Sequence, residues 1–205
     1  MSQHRRSSAV RKREILDAAR KLIIRKGSEH LTVRAMAREV GLTEAAIYRH
    51  FRSKREVLLF LVDDILDTLV AEVERVSSGP GGTLERIGRI QEDHLSEIEQ
   101  RRGMAFLVIA EILSFGDRRL NREVHDKLAV YLERLGRLVA DGAARGEIRE
   151  GTDPQAVAIL LFSMIQGLVT LWALDDYRFN LSAGYRPLWE ICRRAIAPEP
   201  PEDLP

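Results

Sequence analysis

An all-α protein of about nine helices is what this 205-residue sequence predicts. Apolar residues recur three and four positions apart through nearly every stretch between glycine and proline breakers, and the alternation expected of half-buried strands is absent. Charge adds a division into two parts. Residues 1–55 hold 15 Lys/Arg against 5 Asp/Glu and residues 56–205 hold 17 against 26, so a net charge of only +1 conceals a basic N-terminal quarter. Such a region suits a polyanion, unless it is merely a solvated basic face. With 45% hydrophobic and 31% charged residues, the chain has the composition of an ordinary globular protein and the length to bury a proper core.

Residues 1–9 are polar, carry Arg5 and Arg6, and run into Arg11, Lys12 and Arg13. They read as an arm that follows phosphates or enters a minor groove, or as a solubilising tail. From Arg11 to Lys26 a stripe of Ile15, Leu16, Ala18, Ala19, Leu22 and Ile23 predicts a first helix, ended by Gly27. Thr32 is a cap for the next. The stretch VRAMAREVGLTEAAIYRHFR, Val33 to Arg52, then reads as two short helices joined at Gly41, where a left-handed backbone is needed, with Thr43 capping the second. Ala37 permits a close crossing and Ile47 fills the space beneath, which leaves Glu44, Ala45, Tyr48 and Arg49 facing outward.

Ser53, with Glu56 at the capping-box spacing, opens a long fourth helix to about Val76. The run Ser77 to Gly82 is a loop. Helices are then expected from Thr83 to about Arg101, Gly103 to Phe115 and Asn121 to Arg145. Asp153 and Pro154 form the cap and first residue of an apolar helix reaching Leu174; a polar bend, Asp175 to Gly184, leads to a last helix around Pro187 to Ile196. Ala156 to Leu174 has about the minimum length for a bilayer span. Asp153, Asp175 and Asp176 bracket it closely and Gln166 lies at its middle, so burial by its own core and a second subunit is expected, and no membrane. The domain expectation is therefore 1–55, a basic arm with a helix-turn-helix; 56–197, a helical body; and 198–205, an unstructured proline-rich acidic tail. The single Cys192 excludes an internal disulfide and fits a reducing cytoplasm, and the charged start has no apolar stretch of a secretory leader behind it.

The segment GLTEAAIYRHFRSK, Gly41 to Lys54, resembles the DNA-binding signature of the TetR family of bacterial transcriptional regulators. The likeness begins at the first helix and Gly27 and runs through Leu31, Thr32, Ala37 and Gly41 to Tyr48, His50, Phe51 and Lys54. Beyond this first quarter the chain is similar in architecture and in the turn GEIREGTDP, Gly146 to Pro154. The resemblance implies that Thr43, Tyr48, His50 and Lys54 hold phosphates, that Arg34 does the same or touches a base, and that Glu44, Ala45, Ala46 and Arg49 meet base edges. Chemistry allows it: arginine donates twice to guanine, glutamate accepts from cytosine, and alanine touches a thymine methyl. His50 as a helix-end cap, Glu44 as a partner of its own helix N-terminus and the alanines as mere clearance are the structural alternatives.

The resemblance further implies a homodimer through the last two helices, double-stranded operator DNA of near-palindromic sequence, and repression relieved by a small, largely apolar effector. Met104, Phe106, Phe115, Phe162, Met164, Ile165 and Trp172 would line its pocket or form plain core, with Glu111 as a polar anchor or a solvent-facing acid. A second reading is a nucleoid-associated or division-regulating factor whose C-terminal domain binds a protein. No nucleophile, phosphate loop or zinc motif occurs, so neither catalysis nor a cofactor is expected. His94 and His125, with Asp93 and Glu97, lack a tight ligand spacing, so no metal is expected either. Location in the cytoplasm, on the nucleoid, follows from these readings.

Overall fold

Caps and breakers set most of the element boundaries in the computed structural model, which describes residues 8–199. Among the described residues there are nine α-helices and no strand. The N-terminal helices are α1 (Ser8–Lys26), α2 (Val33–Val40), α3 (Glu44–Tyr48) and α4 (Lys54–Ser77), with a 3-10 turn at Ser28–His30. They are followed by α5 (Thr83–Gln100), α6 (Met104–Ser114), α7 (Arg118–Ala144), α8 (Pro154–Leu174) and α9 (Leu181–Ile196). The greater part of the expected arm and tail, residues 1–7 and 200–205, lies outside the described residues.

The chain divides into two compact units. One comprises residues through Ile65 with Arg101–His125, the other Leu66–Gln100 with the chain from Asp126 onward. α4 and α7 therefore each contribute to both. In the first unit Ile15, Ala19, Ile23, Leu31, Met36, Ile47, Phe51, Leu58 and Leu61 form a sealed core, joined by Met104, Val108 and Ile112 of α6. Burying each large side chain contributes about 1.5–3 kcal/mol, so the short helices α2 and α3 are held by packing more than by propensity. Phe51 and Phe60 meet edge to face at 5.4 Å, and the Lys12 ammonium lies 4.8 Å from the Phe60 ring centre.

The second unit is built from α5, the rest of α4 and α7, and the pair α8 and α9. Its interior includes Leu95, Tyr131, Leu135, Leu161 and Ile165, and Tyr185 donates its hydroxyl to Gln91 Oε1 at 3.0 Å. Gly88 of α5 leaves room for Trp189 of α9: a Cβ there would sit 3.4 Å from the indole nitrogen. The turn at Gly146–Pro154 is anchored through Glu147, which accepts from Thr83 N at 2.6 Å and Thr83 Oγ1 at 2.7 Å.

α9 departs from expectation, since it begins six residues before Pro187 and contains that proline. Its start is fixed by acceptors for the first amides: Asn180 Oδ1 takes Ala183 N at 2.6 Å, and Glu99 Oε1, 82 positions away in sequence, takes Leu181 N at 2.6 Å. That long-range acceptor allows the helix to start where composition reads as a bend. α1 and α7 also begin three residues earlier than the apolar stripes indicate. α8 is long and apolar enough to cross a membrane by length and composition. One face, including Val157, Ala158, Leu161, Ile165, Val169 and Trp172, is buried within its unit, but the expected burial on all sides does not occur within one chain. Ile159, Leu160, Leu171 and Leu174 are exposed.

Candidate nucleic-acid interface

Two capped helices and a left-handed glycine build the site. Thr32 Oγ1 accepts from Ala35 N at 3.0 Å and Thr43 Oγ1 from Ala46 N at 3.2 Å, so each helix starts at a threonine. Between them Gly41 adopts φ 71°, and the chain turns back through Leu42 N, which donates to Ala37 O at 2.8 Å. The buried Ala37 and Ile47 lock the crossing. α3 itself is short. It ends at Tyr48, and Arg49 follows in a helical conformation as its C-cap.

The outward row is as the spacing predicts. Arg34, Thr43, Glu44, Ala45, Tyr48 and Arg49 are exposed, while Ala46 and His50 are half-buried. Tyr48 leaves 52% of its surface in solvent, a large exposure for an aromatic side chain on a rigid element. Among the described residues no acid pairs with Arg34 or Arg49. Arg38, one helical turn after Arg34 and also exposed, joins this cationic surface; the four-residue spacing was the available signal for it. Thr43 accepts through its oxygen, and its hydroxyl proton remains able to donate. His50 Nδ1 lies 3.4 Å from Ser8 Oγ, which joins the end of the reading helix to the start of α1.

Lys54 is arranged differently. Its ammonium donates to Glu111 Oε1 at 2.7 Å and to Ser28 O at 2.9 Å, and the two charged side chains are only 23% and 16% exposed. The resemblance gave Lys54 to a phosphate, and Glu111 stood open between a polar anchor for an effector and a solvent-facing acid; the structure brings the two into contact across 57 positions, a pairing no local pattern announces. Phe115 behaves similarly, with the Arg55 guanidinium 4.9 Å from its ring centre.

The other pocket residues fall into the two units. In the first, Met104 is buried and lines a groove of about 630 Å³ together with Lys12, Leu16, Arg20, Phe60 and Arg101, while Phe106 is half-buried. In the second, Phe162 is half-buried, Ile165 is core, and Trp172 donates its indole N–H to Phe179 O at 2.8 Å, a structural use of its polar atom. That unit also has a cavity of about 310 Å³ lined by residues including Leu69, Glu72, Ile90, Asp93 and His94. Burial holds His94 down at about 4, so it is neutral at physiological pH. Among the described residues no cluster of three or more His, Cys, Asp or Glu side chains is arranged to hold a metal ion.

A rigid helix-turn-helix with an unpaired cationic outer row defines a DNA-binding protein of the all-helical class. Comparison with known families makes this specific. Residues 15–60 match the model of bacterial regulatory proteins of the tetR family, and residues 62–194 match that of the YsiA-like protein C-terminal region. The chain belongs to the tetR family and is a DNA-binding transcriptional regulator. It is 24% identical over 170 residues to the fatty acid metabolism regulator protein of Bacillus subtilis, covering 83% of this chain and 87% of that one. It is 26% identical over 191 residues to the nucleoid occlusion factor SlmA of Vibrio cholerae, covering 91% and 95%. Among solved structures, FadR of Bacillus subtilis in complex with stearoyl-CoA superimposes with a TM-score of 0.78 at 23% identity, over 88% of this chain and 96% of that one.

Proposed function

We propose that this regulator is a homodimeric repressor that occupies a near-palindromic operator and is released by a small, largely apolar effector. The reading row of α2 and α3 is the observation that carries it. Thr43, Tyr48 and His50 hold phosphates, Arg34 holds a phosphate or a base, and Glu44, Ala45, Ala46 and Arg49 meet base edges. Dimerisation uses α8 and α9, whose outer side leaves Ile159, Leu160, Leu171, Leu174 and Ile191 in solvent. Two-fold symmetry of such a dimer matches an operator whose half-sites lie about one DNA turn, roughly 34 Å, apart. The functional division is residues 1–55 for DNA and 56–197 for dimerisation and effector, and the protein works in the cytoplasm on the chromosome.

For the effector a long-chain acyl thioester is the first candidate, because the structural relative from Bacillus subtilis was solved with stearoyl-CoA. Such a molecule acts only through unequal affinity for the DNA-competent and DNA-incompetent dimers. Phe162, half-buried in the second unit, supplies apolar surface for it. The similarity to a nucleoid occlusion factor over 91% of the chain favours a second reading, a chromosome-bound factor whose body binds a protein. Genomic footprinting of the purified protein, repeated with stearoyl-CoA, tests both. One palindrome released by the thioester supports the repressor; many dispersed sites indifferent to it favour the second reading.

A further inference from the structure

We propose that Glu111 is a positioning residue for DNA binding and that Lys54, which it holds, is a strut inside the DNA-binding unit instead of a phosphate contact. The proposal rests on the family's DNA-binding activity and needs no effector. The geometry is a closed three-cornered loop. Glu111 Oε1 accepts from Lys54 Nζ at 2.7 Å, Glu111 Oε2 accepts from Ser28 Oγ at 3.3 Å, and Lys54 Nζ donates to Ser28 O at 2.9 Å. Each corner belongs to a different element: Glu111 to α6, Lys54 to the first residue of α4, and Ser28 to the turn between α1 and α2.

The chemistry of each corner fits a strut. Glu111 is the only acid in the apolar segment MAFLVIAEILS, and without a partner its carboxylate would be costly to keep there. Lys54 has three donors, two of which are taken, and its charge is neutralised at hydrogen-bond distance. Counterion release on DNA needs an available cation, which this one is not. Ser28, 6% exposed, uses both its hydroxyl and its carbonyl in the loop. The backbone entering α2 and the first residue of α4 are thereby fixed to one carboxylate on either side of the reading pair. The pair itself spans too few residues to hold its attitude by helix propensity.

The strut and the phosphate contact predict opposite signs for one substitution. The test measures binding of the full-length protein to a fluorescent random-sequence duplex across a salt series, with melting curves to show that each variant is folded. As a strut, Glu111→Gln weakens binding by roughly tenfold with an unchanged salt slope, because a coupled charge pair is lost and no phosphate contact is. Lys54→Met should do the same. In the exchange Lys54→Glu with Glu111→Lys the ion pair re-forms with its charges reversed while the hydrogen bond to Ser28 O is lost, since a carboxylate cannot donate to a carbonyl, and binding regains part of what Lys54→Glu alone loses although residue 54 is now an anion. Tighter binding by Glu111→Gln would overturn the proposal. So would a slope shallower by about 0.9 in Lys54→Met, the value for one lost phosphate contact, or an exchange variant as weak as Lys54→Glu alone.

Discussion

Two surfaces stand exposed among the described residues, and they differ in kind. On α2 and α3 the exposed residues are Arg34, Arg38, Glu44, Tyr48 and Arg49; on α8 and α9 they are Ile159, Leu160, Leu171, Leu174 and Ile191. The first row keeps its charges hydrated until a polyanion displaces counterions, so its partner is reversible and salt-sensitive. The second would gain by removing hydrocarbon from water, as a second copy of the same face would do in the proposed dimer. Exposure alone therefore says little about function. The chemistry of the exposed atoms selects the partner.

The strongest way to break this contrast is to charge the apolar face. Leu171→Glu with Ile191→Glu should give a monomer in sedimentation and weaken binding to a palindromic operator by roughly a thousandfold, as the advantage of two linked half-sites is lost. An unchanged dimer would move the interface elsewhere. Acid should next affect the unit that carries this face. His94 titrates at about 4 against an ordinary 6.5 because burial disfavours its cation. The unfolded chain therefore takes the proton first, and stability present above pH 6.5 falls as pH drops towards 4, by roughly 3 kcal/mol. Urea midpoints at neutral and acid pH should show this, and His94→Asn should flatten the profile.

On the cationic face, Arg49→Ala should relax preference at one base pair of each half-site by about 1–3 kcal/mol, seen by competition with mutated operators. Equal loss on every sequence would move Arg49 to the phosphate class. Thr43→Ala removes the cap of α3 and should cost about 1 kcal/mol of stability in thermal melts, besides any phosphate contact. The two Thr43 effects separate because melting is done without DNA.

Where evidence for an element lay within a few residues, the chain could be read directly. Thr32, Gly41, Thr43, Asp153 and Pro154 act as caps, turn and first residue because their hydrogen bonds close over two to five positions. The outward row followed from the same local geometry, since helical periodicity decides which side chains oppose the buried Ala37 and Ile47. The start of α9 was hidden: its acceptor, Glu99, belongs to another helix. Pocket residues were also ambiguous, because an apolar side chain at helical spacing looks the same whether it meets a ligand, a neighbour or a second subunit.

By itself the sequence determined an all-helical chain, a capped helix-turn-helix, a basic N-terminal quarter and an apolar penultimate helix, all properties of neighbouring residues and their period. Tertiary structure alone decided that α6 packs with the DNA-binding unit, that one side of α8 stays open, and that Lys54 meets Glu111. The reason is physical. A local motif constrains backbone angles over a few residues, whereas an ion pair between residues 57 positions apart exists only once the chain between them has packed.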